Sequence, residues 1–291
     1  MRICVCIKQT PASNSVYIDP ITGKVDEERF VQVLNPADAC AVEAAVDLNE
    51  HLGGTILVLT LGPTDAEGSL RAALAIGADT ALRLWSPQAD AWGPFMVASA
   101  LAAYISAVNP AFDLILCGDA AADWSSGIVG PALAEKLNLP QITGVMQMNV
   151  LQDQLAVKLQ VTRRLERGYR ELLVAEPPLL LTVTGDLNEP RYSSLPAHLA
   201  ALQASIPLLD PTTLLGNSLW EEFEETTLLE MHMPRPRPRR IAAPDSHHSA
   251  FERIGEIIAG GATGRQTRLV EGSPEELAQT LVQFLRDKGF I

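Results

Sequence analysis

Asp113-Leu-Ile-Leu-Cys117 runs into Gly118-Asp-Ala-Ala-Ala-Asp-Trp-Ser-Ser-Gly-Ile-Val-Gly-Pro131, and that run continues into Ala132-Leu-Ala-Glu-Lys-Leu137. The order is an apolar run, a loop of small residues and an amphipathic stretch, so it reads as buried strand, turn and helix. The first amides of such a helix have no intrahelical acceptor, and the helix dipole places partial positive charge there, which favours phosphate. Small residues let a nucleotide approach the backbone. Asp123, Ser125 and Ser126 offer groups for ribose or phosphate oxygens. A plain turn with an N-cap explains the same string, so the nucleotide reading needs support from elsewhere.

That support begins with the alternation around the stretch. Ile3–Ile7, Thr55–Thr60, Ala81–Trp85 and Asp113–Cys117 read as strands; Ala37–Leu52, Asp65–Gly77 and Pro94–Val108 read as helices. Continuous apolar strands alternating with helices predict a Rossmann-like parallel α/β sheet covered on both faces. Ligands of such sheets bind at the carboxyl ends of the strands. The loops after Ile7, Thr60 and Cys117, with Asn35-Pro-Ala-Asp38, are expected to converge there.

From Val145 the texture changes. Val145–Val150, Leu155–Val161 and Glu171–Val174 read as antiparallel ribbons and Pro178–Val183 as a further strand. Asn188-Glu-Pro-Arg-Tyr-Ser-Ser-Leu-Pro196 is expected to be a turn-rich exposed loop before a helical stretch, Ala197–Ala204. Past Pro207 the pattern loosens into an acidic run, Trp220–Glu225, and Pro234-Arg-Pro-Arg-Pro-Arg-Arg240, which reads as extended polyproline. That basic run is either a solvated linker or a dock for an acidic partner. Pro274–Gly289 is an amphipathic helix with Ser273 as N-cap and Gly289 as C′. The expected organisation is therefore a nucleotide-binding domain over 1–210 and a C-terminal extension over 211–291.

Composition narrows the function. A net charge of −13 argues against nucleic acid as a general partner. No run approaches the roughly 18 apolar residues of a membrane span, and the start lacks the apolar core of a signal peptide, so a cytoplasmic location is expected. Cys4, Cys6, Cys40 and Cys117 form no CxxC; Cys4 and Cys6 share a strand face, and all four read as reduced core or pocket-lining thiols. His247 and His248 stand together in a polar loop without metal-ligand spacing. No Ser-His-Asp, paired-acid, GxxxxGK[ST] or GxGxxG pattern is present.

Four segments in register resemble the β subunit of electron-transfer flavoproteins. They are Val5-Cys-Ile-Lys-Gln-Thr-Pro11 with Ile18-Asp-Pro-Ile-Thr-Gly23, then Asn35-Pro-Ala-Asp38 with Ala41-Val-Glu-Ala-Ala45, then Leu61-Gly-Pro63 with Leu70–Asp79, and finally Gly118–Pro131 with Val161–Pro196. The resemblance covers roughly residues 1–210. It implies a heterodimer in which this chain holds AMP, or a second FAD in electron-bifurcating members, while an α subunit carries the redox FAD. Such a pair shuttles electrons between a flavin dehydrogenase and an acceptor, as a carrier more than as a stand-alone enzyme. By position, the implied nucleotide contacts are Cys6, Asn35, Pro36, Ala37, Asp38, Leu61, Asp119, Ala120, Ala121, Ala122, Asp123, Ser125, Ser126, Gly127, Ile128, Val129 and Gly130. A short Asn/Asp pair suits adenine or ribose; helix N-capping by Asn35 and Asp38 is the other role they offer. Leu195, flanked by Tyr192 and Pro196, matches the leucine that inserts into a partner dehydrogenase, unless it folds back on its own domain.

The chain also departs from the family pattern. Asp119-Ala-Ala stands where a basic or polar residue and Gln-Ala are usual, Trp124 where a small or acidic residue is, and Ile128 where glutamine is common. Arg164 occupies a frequently acidic position, Glu166-Arg-Gly168 replaces an acidic-Gly-Gly signature, and Ala200–Ser205 replaces a lysine-rich run. Alanines at 120–122 make room for a flavin, or Trp124 fills that room. Rival functions are an ATP-binding or ATP-hydrolysing module of the same nucleotide fold and a nucleotide-free interaction subunit.

Overall fold

The first strand shows how the sequence sets the layers. In the computed structural model, which describes residues 1–12, 31–152, 157–214, 248–258 and 272–287, Arg2–Cys6 forms β1. Its Ile3 and Val5 face one apolar cluster, Cys4 and Cys6 the other. This is the two-residue period of a strand buried on both sides.

The remaining elements follow in chain order. A short antiparallel pair, β2 (Gln9–Pro11) and β3 (Gln32–Leu34), precedes α1 (Pro36–Leu52), β4 (Thr55–Leu61), α2 (Glu67–Ile76), β5 (Thr80–Leu84) and α3 (Pro94–Ala107). Next come β6 (Leu114–Gly118), α4 (Val129–Lys136), β7 (Gln141–Gln152), β8 (Val157–Arg164), β9 (Arg170–Ala175), β10 (Leu179–Val183), α5 (Leu195–Gln203) and β11 (Leu208–Leu209). Two further helices, α6 (Ala250–Ile258) and α7 (Pro274–Asp287), belong to a second compact unit, Glu230–Ile291, apart from Met1–Leu229.

Nine strands form one sheet in the order β11-β5-β4-β1-β6-β10-β7-β8-β9. Its pairs from β11 to β7 are parallel; β7–β8 and β8–β9 are antiparallel. The α/β, mostly parallel fold expected from the sequence is the observed one. α1 packs across β1, β4, β6 and β10, and α2 lies beside it. α3 and α4 pack together over the opposite face. Central side chains such as Leu114, Leu116 and Leu181 are fully buried, each contributing about 2 kcal/mol.

The differences from the sequence reading are local. β7 starts at Gln141, four residues early, because its first half pairs parallel with β10 and only its second half joins β8. The stretch Asp65–Gly77 splits into a 3-10 turn at Thr64–Ala66 and α2. Leu195 and Pro196 do not end a loop; they open α5, since the Ser194 hydroxyl accepts from the Ala197 amide at 3.3 Å and proline is suited to the first turn. Trp220–Glu225, Pro234–Arg240, His247 and Gly289 lie outside the described residues. Ser273 does cap α7, trading hydrogen bonds with Glu276.

Candidate functional site

Strand order reverses at the centre of the sheet. From β1 the chain builds outward through β4 to β5, then returns to place β6 on the other side of β1. The crevice of a doubly wound sheet opens at such a point, at the carboxyl ends of the strands. Cys6 and Cys117 are register partners there, and the chain leaves β1 at Ile7 and β6 at Gly118.

One turn of α1 spans this crevice. Asp38 is 5% exposed; its Oδ1 accepts from the Gly118 amide at 2.8 Å and its Oδ2 from the Lys8 amide at 2.7 Å. Asn35, 2% exposed, donates from Nδ2 to the Ala120 carbonyl and accepts at Oδ1 from the Ala122 amide, both at 3.1 Å. The Asn35 amide also donates to the Lys8 carbonyl at 3.0 Å. Asn35 stands at the N-cap position of α1, yet its side chain makes no capping bond; its polar atoms hold the 118–128 loop instead. Gly118 is required: a Cβ there would lie 2.4 Å from Asp38 Oδ1 and 2.8 Å from Ala37 Cβ.

Other ties fix the rim. Thr60 donates its hydroxyl to the Ile7 carbonyl at 2.8 Å, and the Asp119 amide donates to the Val183 carbonyl at 2.8 Å. The Lys8 ammonium pairs with Asp123, and Arg164 reaches Asp119 at 3.6 Å and Asp186 at 3.9 Å. Ser125 and Gly127 adopt positive φ, 51° and 62°, folding the loop back before α4.

The α4 end of this loop is different. Its first turn has no side-chain cap, with Ile128 at the cap position and Pro131 lacking an N–H. The Val129 and Gly130 amides therefore have no acceptor within their own helix. Gly130 is buried against β10 and β6; a Cβ there would meet Thr182 Cγ2 at 2.6 Å and Cys117 Sγ at 3.0 Å. The helix end thus sits close upon the sheet, and its dipole places partial positive charge there. Residues 120–122 are alanines, and the bulky Trp124 is 76% exposed. Uncapped amides, small residues and a solvent-exposed tryptophan are the kind of setting that suits a phosphate group.

Burial sets the electrostatics. It raises Asp38 from 3.8 to about 6, against the pull of the Lys8 and Gly118 amides. Burial likewise raises Asp119, with Arg164 opposing. The Cys6 thiol is pushed well up, first by its hydrogen bond with Cys4 and then by burial; the Cys117 thiol is pushed up by burial. These two are neutral core thiols, and all four cysteines are free and buried.

Among the expected contacts, the structure therefore gathers Asn35, Asp38 and Asp119–Gly130 around one crevice. Cys6 lies in the sheet beneath it, Leu61 ends β4, Pro36 is exposed and Ala37 buried. Tyr192, Leu195 and Pro196 belong to another surface, at the start of α5, which packs on α2. Leu195 is 71% exposed, with Leu199 and Leu202 exposed on the following turns. Lys8, Arg164 and Arg71 were not anticipated as tying residues. Arg71 donates to the Ala201, Leu202 and Ala204 carbonyls at 2.7, 2.9 and 3.0 Å, capping α5 from α2. Lys8 stands inside a motif already quoted and was legible as its one cation; the other two reach partners more than 20 residues away along the chain.

Known proteins resemble this chain over most of its length. The family described as Electron transfer flavoprotein domain matches residues 22–214. The Electron transfer flavoprotein subunit beta of Thermoanaerobacterium thermosaccharolyticum is 35% identical over 271 residues, covering 93% of this chain and 97% of that one. The same subunit of Bacillus subtilis is 32% identical over 292 residues, 99% of each chain. Subunit CarD of the caffeyl-CoA reductase-Etf complex of Acetobacterium woodii is 39% identical over 212 residues, 72% of this chain and 78% of its own.

Proposed function

The chain belongs to the electron transfer flavoprotein family as a β subunit, and from that premise we propose that its rim holds an adenosine phosphate, either AMP or the adenylate half of FAD. Val129 and Gly130 supply the amides for phosphate. Cys6, Pro36, Ala37, Leu61 and the 119–128 loop, including Asp123, Ser125 and Ser126, line the nucleoside side, with Asn35 and Asp38 shaping it. The observation that carries this reading is the uncapped start of α4 seated on Gly130 at the switch point of the sheet. AMP there supplies no redox chemistry; FAD supplies a second flavin.

The pairing partner is an α subunit carrying FAD, and the pair shuttles electrons between a flavin dehydrogenase and an acceptor. Docking of the dehydrogenase falls to α5. An exposed Leu195 on a helix fixed by Ser194 and Arg71 gains on burial about 2 kcal/mol without first having to be ordered. From Tyr192 to Leu209 there is no Asp, Glu, Lys or Arg, so this surface suits an apolar, uncharged groove.

Purification with the α subunit, acid release and chromatography of the ligands test the proposal. One FAD and one AMP per heterodimer is the ordinary carrier; two FADs place a flavin in the rim. A single FAD with no further adenine nucleotide overturns it, and ATP hydrolysis by the isolated chain would move it to the rival ATP-using class.

A further inference from the structure

Asp38 takes a backbone amide from each side of the crevice with one buried carboxylate. Each of its oxygens takes one amide: Lys8 beyond β1 and Gly118 at the end of β6. Those residues lead into the two loops that diverge at the strand reversal. Asn35, one turn earlier, adds the second tie on the β6 side through Ala120 and Ala122.

We propose that Asp38 is the positioning residue of the nucleotide rim, hanging the loops after β1 and β6 from one buried carboxylate, so that adenylate affinity follows the charge on that carboxylate without Asp38 having to touch the ligand. This rests on the adenylate reading of the rim. The geometry gives the reason. A carboxylate accepts from both amides at once, and charge-assisted bonds of this kind are the strong ones. A protonated carboxyl carries a hydrogen on one oxygen, which then faces an N–H instead of accepting from it. One loop loses its tie, and the spacing that α4 and the 119–128 loop present to the phosphate is no longer fixed.

The groups around Asp38 leave it as the titrating member. Lys8 draws its proton affinity down from the β1 side, although the ammonium itself pairs with Asp123. The Cys6 thiol on β1, Cys40 on α1 and Cys117 on β6 all feel Asp38, and all three are raised, hence neutral. Asn35 donates toward it from its own helix. Burial brings its midpoint to about 6, within the range of ordinary solution conditions.

The test is calorimetric titration of AMP into nucleotide-stripped heterodimer, wild type and Asp38→Asn, between about pH 5 and about pH 8. AMP itself gains a proton near pH 6, and the ratio of the two dissociation constants cancels that contribution. The expected ratio is about tenfold in favour of wild type at the alkaline end, closing toward unity at the acid end. A ratio that stays near unity, or stays tenfold throughout, overturns the inference. Amide exchange of wild type decides the matter if the variant does not fold: protection at Lys8 or Gly118 should fall on acidification while Ile3 and Leu114 hold, and unchanged protection at both overturns the clamp. If wild type binds no AMP at any pH the adenylate reading fails by itself, and the exchange measurement still judges Asp38.

Discussion

Two helices begin at the same crevice and treat their ends in opposite ways. The start of α1 is knitted in: Asn35 and Asp38 make four side-chain bonds to loop backbone, all at 2.7–3.1 Å. Neither start carries a side-chain cap on its own amides, but that of α4, with Ile128, Val129 and Gly130, has no polar side chain to send to a neighbouring loop. Had both been knitted in, the rim would be a closed piece of packing. Had both been bare, the loops would lack a fixed spacing. Under the adenylate reading, holding with one helix and leaving the other open turns the carboxyl ends of the central strands into a receptor, since open amides are useful only at a set distance from one another.

The contrast breaks most severely at Gly118. Replacement by alanine drives a Cβ into Asp38 Oδ1 and Ala37, and the expected loss, read by urea unfolding, is more than about 3 kcal/mol. AMP binding should vanish with it. Next comes the cost of the charge itself. Asp38 holds its proton more tightly in the folded chain, about 6 against 3.8, so its favourable contribution is complete below about pH 4 and is lost as pH rises through 6. Wild type should therefore lose about 3 kcal/mol relative to Asp38→Asn across that window. Equal slopes in unfolding measured at several pH values would break the comparison. Asn35→Ala leaves the Ala120 carbonyl and the Ala122 amide without their partner, an expected loss of about 2 kcal/mol together with weaker AMP binding. The smallest effect sharpens the contrast from the other side. Ile128→Asp sets a carboxylate at the bare end of α4, raising stability by about 0.5 kcal/mol while weakening AMP severalfold. A variant that binds AMP as wild type does would show that the ligand does not use that end.

The sequence carried the sheet and the location of the crevice, because both rest on local patterns. The run Leu114–Cys117, the small loop and the α4 stretch announce a strand, turn and helix, and the alternation in Ile3–Cys6 announces two buried faces. It also placed Asn35, Asp38 and Asp119–Gly130 together. What Asn35 and Asp38 do there was hidden, because their partners lie 80 residues or more along the chain, apart from Lys8. The double pairing of β7 was hidden likewise: only the folded sheet shows that β10 returns to its first half. The helical start at Leu195 was legible and missed; Ser194 followed by Pro196 is a helix-opening signature. The short β2–β3 pair and the two-residue β11 fall below what periodicity can register.

The exposure of Trp124 has a practical side. Its indole stands in solvent on the loop that carries Asp123 and Ser125, whereas Trp92 is buried behind α3. Iodide or acrylamide should quench emission from the first and spare the second. Any molecule settling over the loop would dim that quenching, so a chain with Trp85 and Trp220 replaced by phenylalanine would be its own fluorescent gauge of rim occupancy, free of added dye.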